Sequence, residues 1–249
     1  VYTGRAPLET AAMGIKLGPS DWAIRCNLVH VEREEMRDFT AGHIAAADGA
    51  ALMKTVQEKL GGPVNQLNEK LAQAIDVCDS TGRVVGRLFP THDPHAGLQG
   101  TLEFHAGVSY RNILVYRGAD ARFSSATKTQ PPHDIPDKPI TDYLPQGPGN
   151  VLLRHLMEKS RAVLRDHPIN QGRPRPATQI WLWGQGRAPS LPPFAQVYGK
   201  KGAIISAVDL VRGVGMLLGW TRIDVPGATG YLDTDYVAKG HFGVEALKT

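Results

Sequence analysis

The chain has 249 residues, 42% of them hydrophobic and 21% charged, with a formal net charge of +4. This composition fills a core and excludes a disordered tail or a fibre, and the longest apolar run, 203–208 with a serine inside, is too short to span a bilayer. Cys26 and Cys78 are the only cysteines, which excludes a disulfide framework and a cysteine zinc cluster. No Lys/Arg run exceeds two residues, which gives no nucleic-acid stripe. A reducing cytoplasm is the expected setting.

Residues 6–14 read as a short helix stopped by glycine. Residues 22–31 read as a strand whose polar residues sit in its middle instead of alternating, with 36–41 as its partner. Leu52, Val56 and Leu60 recur at four-residue spacing and predict a helix over 44–60. Gly61-Gly62-Pro63 ends it, and Leu67, Leu71, Ile75 and Cys78 predict one face of a second helix, with Cys78 as a buried small hydrophobe. Strands follow at 83–89, 101–105 and 109–116, the last two a hairpin around Ala106-Gly107. Helices followed by strands point to an α+β unit with a largely antiparallel sheet.

Residues 118–148 form a long loop dense in Pro, Asp and Gly, a length often functional in compact domains. A strongly amphipathic helix over 149–166 turns Leu152, Leu153, Leu156, Met157, Val163 and Leu164 inward. The basic, Pro-rich connector 170–176 is the best candidate boundary. Beyond it, strands are expected at 179–183, 203–205 and 222–225. Helices are expected after Ser206 (Val208, Val211 and Leu218 inward, Asp209 closing a capping box) and over 235–247. That alternation predicts a parallel sheet with crossovers.

Arg25 and Asn27 share a strand face with Ala23 and Val29. A buried arginine needs a partner, so Arg25 is either an anion ligand beside an amide donor, an arginine paired with a core acid, or part of an edge strand. His43, after Gly42, is either an anion ligand at a helix N-terminus or a capping and packing residue. Arg111 offers a fork to carboxylate or phosphate, or is an exposed strand arginine. His133 and Asp134, after two prolines, could orient a proton donor or simply be solvated. Gln185 and Arg187 follow a strand where Gly184 and Gly186 let backbone approach a ligand; the spacing is not a Rossmann fingerprint, and there is no Walker A sequence. Lys201 is a cation at a strand entrance or a surface lysine. Gly227 to Gly230, with Asp233 and Asp235, reads as a tight loop with a helix cap. No Gly-x-Ser-x-Gly elbow is present, and the histidines show no metal-ligand spacing. These residues alone describe an arginine-rich, anion-binding α/β protein.

Eight stretches occur in one order: Tyr2-Thr3-Gly4-Arg5-Ala6-Pro7-Leu8-Glu9, Arg25-Cys26-Asn27-Leu28-Val29, Ala41-Gly42-His43-Ile44, Gly107-Val108-Ser109-Tyr110-Arg111, Pro131-Pro132-His133-Asp134-Ile135, Ile180-Trp181-Leu182-Trp183-Gly184-Gln185-Gly186, Ala207-Val208-Asp209-Leu210, and the run from Val225 to Thr234. Together they resemble the archaeal-type cofactor-independent phosphoglycerate mutases. The resemblance implies an α/β alkaline-phosphatase-like core with an inserted α+β domain. The corresponding division is a core flank over 1–19, the inserted domain over 20–176 and an incomplete core over 177–249. It also implies interconversion of 3-phosphoglycerate and 2-phosphoglycerate through a phosphoserine, with two divalent ions, manganese or magnesium, as in glycolysis and gluconeogenesis.

The substrate-binding set expected here is Arg25, Asn27, His43, Arg111, His133, Asp134, Gln185, Arg187 and Lys201. The family's nucleophilic serine and metal ligands belong before Val1 and after Thr249. This chain is therefore expected to hold no catalytic residue and no metal, to be inactive alone, and to take a phosphoglycerate but no nucleic acid and no membrane as partner. The alternatives are a homoserine kinase-like or other phosphotransfer enzyme on the same scaffold, and a non-catalytic binding module.

Overall fold

The computed structural model describes residues 4–67, 75–78, 84–88, 95, 97–206 and 208–223, with the backbone alone for 75–78 and 84–88. In chain order its elements are α1 (Arg5–Ala12), β1 (Trp22–Glu32), β2 (Glu35–Asp38), α2 (Ala46–Leu60), β3 (Gly62–Pro63), β4 (Ile75–Cys78), β5 (Val84–Leu88), β6 (Thr101–His105), β7 (Arg111–Arg117), α3 (Asn150–Arg165), β8 (Gln179–Gly186), α4 (Phe194–Tyr198), β9 (Ala203–Ile204), α5 (Asp209–Leu217) and β10 (Thr221–Arg222).

β1 is the centre of a six-stranded antiparallel sheet, and its first nine residues are buried. Burial on both faces explains the absent alternation in its sequence. β7 and β8 flank it, with Arg25 opposite Ile113 on one side and Trp183 on the other. β2 folds back on its end, β6 pairs with β7, and β3 adds the far edge.

On one face, Leu52, Val56 and Leu60 of α2 and Leu152, Leu153, Leu156 and Met157 of α3 join Ile24, Cys26 and Leu28 in the main core. Burial pushes the Cys26 thiol up, out of the reactive range. On the other face α1 covers Ala23, Ile113 and Val115 through Ala6. Two glycines let α1 seat this closely. A Cβ at Gly4 would collide with the carbonyl oxygens of Gly184 and Gln185, and one at Gly213 of α5 with that of Leu8.

The loop 118–148 is ordered by pairing, although its regular structure is confined to two short 3-10 turns, Pro132–Asp134 and Ile140–Tyr143. It runs beside β2, where the Met36 amide donates to the Lys138 carbonyl and the Asp137 amide to that of Met36. The Trp181 indole donates to the Gln130 carbonyl at 2.8 Å.

Four expectations are corrected. Ile75 to Cys78 form a strand paired with β5, so Leu67, Leu71, Ile75 and Cys78 do not form one helix face. β8 lies antiparallel on β1, which carries the sheet across the 170–176 connector; the only parallel pair among the described residues is β9 with β10. Val208 and Val211 point outward, 39% and 44% exposed. The capping box does not form: Ser206 Oγ accepts from the Val208 amide, while Asp209 lies 3.8 Å from Arg212. The expected helix over 235–247, the loop around Gly227 and the side chain of Cys78 lie outside the described residues. Among the described residues no helix is long and apolar enough to cross a membrane.

Asp38 ties β2 to the turn before α2. Its carboxylate accepts from the Thr40 amide and hydroxyl at 2.7 and 2.6 Å, from the Gly42 amide at 3.1 Å and from Arg175 at 3.2 Å. Burial opposes its ionisation, but these four donors together hold its pKa below the usual 3.8. A folded-state pKa below the unfolded one adds stability above about pH 4 and loses it as pH falls through the folded value. Asp38→Asn is expected to cost about 1–2 kcal/mol at pH 7 and much less at pH 3, as read by urea denaturation at the two pH values.

Candidate functional site

The strand period places Arg25 and Asn27 on the α1 face of β1, and β8 brings Trp183 against both. The Arg25 guanidinium lies 4.9 Å from the Trp183 ring centre, and the Trp183 indole donates to Asn27 Oδ1 at 3.1 Å. The His133 ring meets the other edge of the cluster, 5.4 Å from Trp183 and 6.1 Å from Phe39. Phe39 in turn packs on Tyr110, over which Arg111 lies at 5.5 Å. Asp134 sits 3.7 Å from His133 and accepts from Gln130 at 3.1 Å. Arg25, Asn27, Arg111, His133 and Asp134 are thus joined through an aromatic chain of Trp183, Phe39 and Tyr110.

Glu9 on α1 supplies the counter-charge. It pairs with Arg25 through one oxygen and with Arg5 through the other at 2.7 Å. Glu9 is 6% exposed and Arg25 3% exposed. Burial lowers the Arg25 pKa, as do the positive charges of Arg5 and Arg111, against the pull of Glu9. Two guanidinium groups, those of Arg5 and Arg25, therefore share one carboxylate, and Arg111 adds a third positive charge that acts on Arg25. The buried Arg25 Nε has no hydrogen-bond partner in the structure. That donor leaves the fork of Arg25, held over the Trp183 indole, only partly used. Arg25 is thus the acid-paired core arginine that the sequence allowed, and Glu9 satisfies only part of the group.

Sequence reasoning missed Glu9 and Arg5 as members of this site. Their i, i+4 spacing on a helix was the available signal. It also missed Trp183 as the hub, which depends on a register between β1 and β8 that no local pattern encodes.

The remaining predicted residues lie elsewhere. The Gln185 amide is committed to the long loop: Oε1 accepts from Thr129 at 2.7 Å and Nε2 donates to the Thr127 carbonyl at 2.7 Å. It supports the segment that leads to His133. Arg187 lies over Trp22 at 5.3 Å and borders a separate cavity of about 560 Å3 with Ser124, Ser125 and Leu191. His43 is exposed with a left-handed φ of 50°, and its amide donates to Thr40 Oγ1. It precedes the Ala45 cap of α2 by two residues, so it does not occupy the helix N-terminus as expected. Lys201 is exposed ahead of β9. Among the described residues no hydrogen bond or ring contact joins His43 or Lys201 to the Arg25 cluster.

Residues 1–78 and 83–170 match the family profile described as 2,3-bisphosphoglycerate-independent phosphoglycerate mutase. The chain is 43% identical over 250 residues to the protein of that name from Methanothrix thermoacetophila, covering 99% of this chain and 53% of the relative. It is 40% identical over 252 residues to the one from Methanosarcina barkeri, covering 100% of this chain and 53% of the relative. The chain thus spans about half the length of the curated relatives it matches. Its fold is similar to that of a cofactor-independent phosphoglycerate mutase from Thermoplasma acidophilum, with a TM-score of 0.53 at 20% identity, covering 100% of this chain and 57% of that one. The mixed α/β architecture is the one shared with that structure. The motif order in the sequence, the profile match and the fold agree: the chain belongs to the 2,3-bisphosphoglycerate-independent phosphoglycerate mutase family.

Proposed function

We propose that this chain forms the substrate-binding side of an isomerase that interconverts 3-phosphoglycerate and 2-phosphoglycerate in the cytoplasm. The observation that carries the reading is the shared-carboxylate cluster, in which Arg5 and Arg25 both pair with Glu9, the charge of Arg111 acts on Arg25, and Arg25 keeps a buried, unpartnered donor. A three-carbon acid bearing a phosphate presents two anionic ends, which several forks can hold in one orientation. In this reading Arg25 and Arg111 bind the anionic groups. Asn27 holds Trp183 beneath Arg25, and His133 with Asp134 presents a proton donor at the cluster's rim. Gln185 keeps the His133 loop in place, and His43, Arg187 and Lys201 approach the same ligand from outside the cluster.

The division into a flank over 1–19, an inserted domain over 20–176 and a core piece over 177–249 belongs to the same proposal, with β8 bridging the second boundary. In the intact enzyme two divalent ions, manganese or magnesium, would stabilise charge on the transferring phosphoryl group. Among the described residues no group of three or more His, Cys, Asp or Glu side chains could hold a metal ion. The described residues therefore do not fit that centre.

The test is phosphorus NMR of the full-length protein with 3-phosphoglycerate and manganese. The expected result is a growing 2-phosphoglycerate signal, with no turnover by the 249-residue chain alone. Absence of that signal from the full-length protein, with phosphorylation of homoserine from ATP in its place, would overturn the reading.

A further inference from the structure

A second cavity lies at the opposite end of β1 from Arg25, roughly 20 Å along the strand at about 3.3 Å per residue. It encloses about 330 Å3, the lower range of small-molecule sites. Its walls are largely apolar, made by Val31, Leu164 and Ala177. Asn170 braces them: its Nδ2 donates to the carbonyls of Leu164 and Ala177 at 2.8 and 2.9 Å, and its Oδ1 accepts from the Ala177 amide at 3.0 Å. The shape is therefore set by satisfied buried hydrogen bonds and does not depend on a ligand.

The charges at its mouth are unevenly used. Arg161 is committed, with two nitrogens on the Glu34 carboxylate at 2.6 and 3.0 Å and Nε on Gln179 at 2.7 Å; Glu158 adds a contact at 3.2 Å. Arg33 and Arg165 also line the cavity, and among the described residues neither has an ion-pair partner. Arg33 and Glu34 both hold left-handed backbone, φ 51° and 59°, at a turn where Asn-Gly is the relaxed choice. Strain of this kind persists where the surrounding structure enforces it. Here the Arg161 fork and the Ile140 amide, which donates to the Glu34 carbonyl at 2.8 Å, do so.

We propose that this cavity is a second ligand site, distinct from the Arg25 cluster, for a small organic anion with an apolar body: an aryl or short-chain carboxylate, phosphate or phosphonate. The body fills the space between Val31, Leu164 and Ala177, and the anionic head meets Arg33 and Arg165. The site does not depend on the mutase reading.

Amide NMR titration of the isotope-labelled protein with phenylphosphonate tests it, with inorganic phosphate and benzyl alcohol as the head and body alone. Saturable shifts are expected at Leu164, Ala177 and Thr178, with both comparators at least about tenfold weaker. Arg33→Asn tolerates the left-handed turn and Arg165→Gln keeps the helix; each is expected to weaken phenylphosphonate about three- to fivefold. The proposal is overturned by no binding at all, by equal affinity for inorganic phosphate, by unchanged affinity in the double variant, or by shifts confined to residues around Arg25.

Discussion

Replacing Glu9 with alanine is expected to cost about 3–5 kcal/mol of folding stability, because it leaves a buried arginine without its counter-charge. Arg25 would keep its charge in a site that is 3% exposed, with Arg5 and Arg111 adding repulsion and no carboxylate left to offset it. Glu9→Gln should cost roughly half as much, because the amide oxygen still accepts one hydrogen bond. Removing both charges with Glu9→Leu and Arg25→Met should return most of the loss, since apolar residues of similar volume replace a desolvated pair at little cost. Guanidinium denaturation midpoints at constant slope are the measurement. Equal stability of Glu9→Ala and the unsubstituted protein would refute the desolvated pair.

Arg25→Met alone should behave differently. Glu9 would still have Arg5 at 2.7 Å, so the carboxylate is not orphaned and the fold should lose less than in Glu9→Ala. Binding carries the larger change. Titration calorimetry of the full-length protein should show affinity for 3-phosphoglycerate falling by about a hundredfold, the scale of losing one buried partner of a desolvated charge contact. Arg25→Lys should not restore it, because an ammonium cannot supply two parallel donors or stack on Trp183. An affinity within threefold of the original would remove Arg25 from the ligand.

The asymmetry of these two substitutions marks where the sequence was informative. The face shared by Arg25 and Asn27 follows from a period of two, and α1, α2 and α3 follow from capping glycines and four-residue apolar spacing. Glu9 as the partner of Arg25 does not follow, because sixteen residues and a helix-to-sheet contact separate them. The direction of β8 was misread for a similar reason. A buried apolar strand reads the same whether it pairs parallel or antiparallel, and only the return across β1 decides it. Leu67, Leu71, Ile75 and Cys78, spaced three and four apart, satisfied a helical pattern that a strand carrying Ile75 and Cys78 also meets. Val208 and Val211 are apolar at helical spacing yet exposed, so amphipathicity identified a stripe without fixing which side has a neighbour.

α1 has a further consequence. At Gly4 it touches the β8 backbone, and at Leu8 it is touched by the α5 backbone through Gly213. Neither glycine has a side chain to act as a cushion, so main chain sets the distance of the helix at its start and at its middle. The charge pattern of the site therefore inherits its tolerance from two missing methyl groups. A single added carbon at Gly213 would press on the Leu8 backbone, one residue from Glu9, and through Glu9 on the guanidinium it holds.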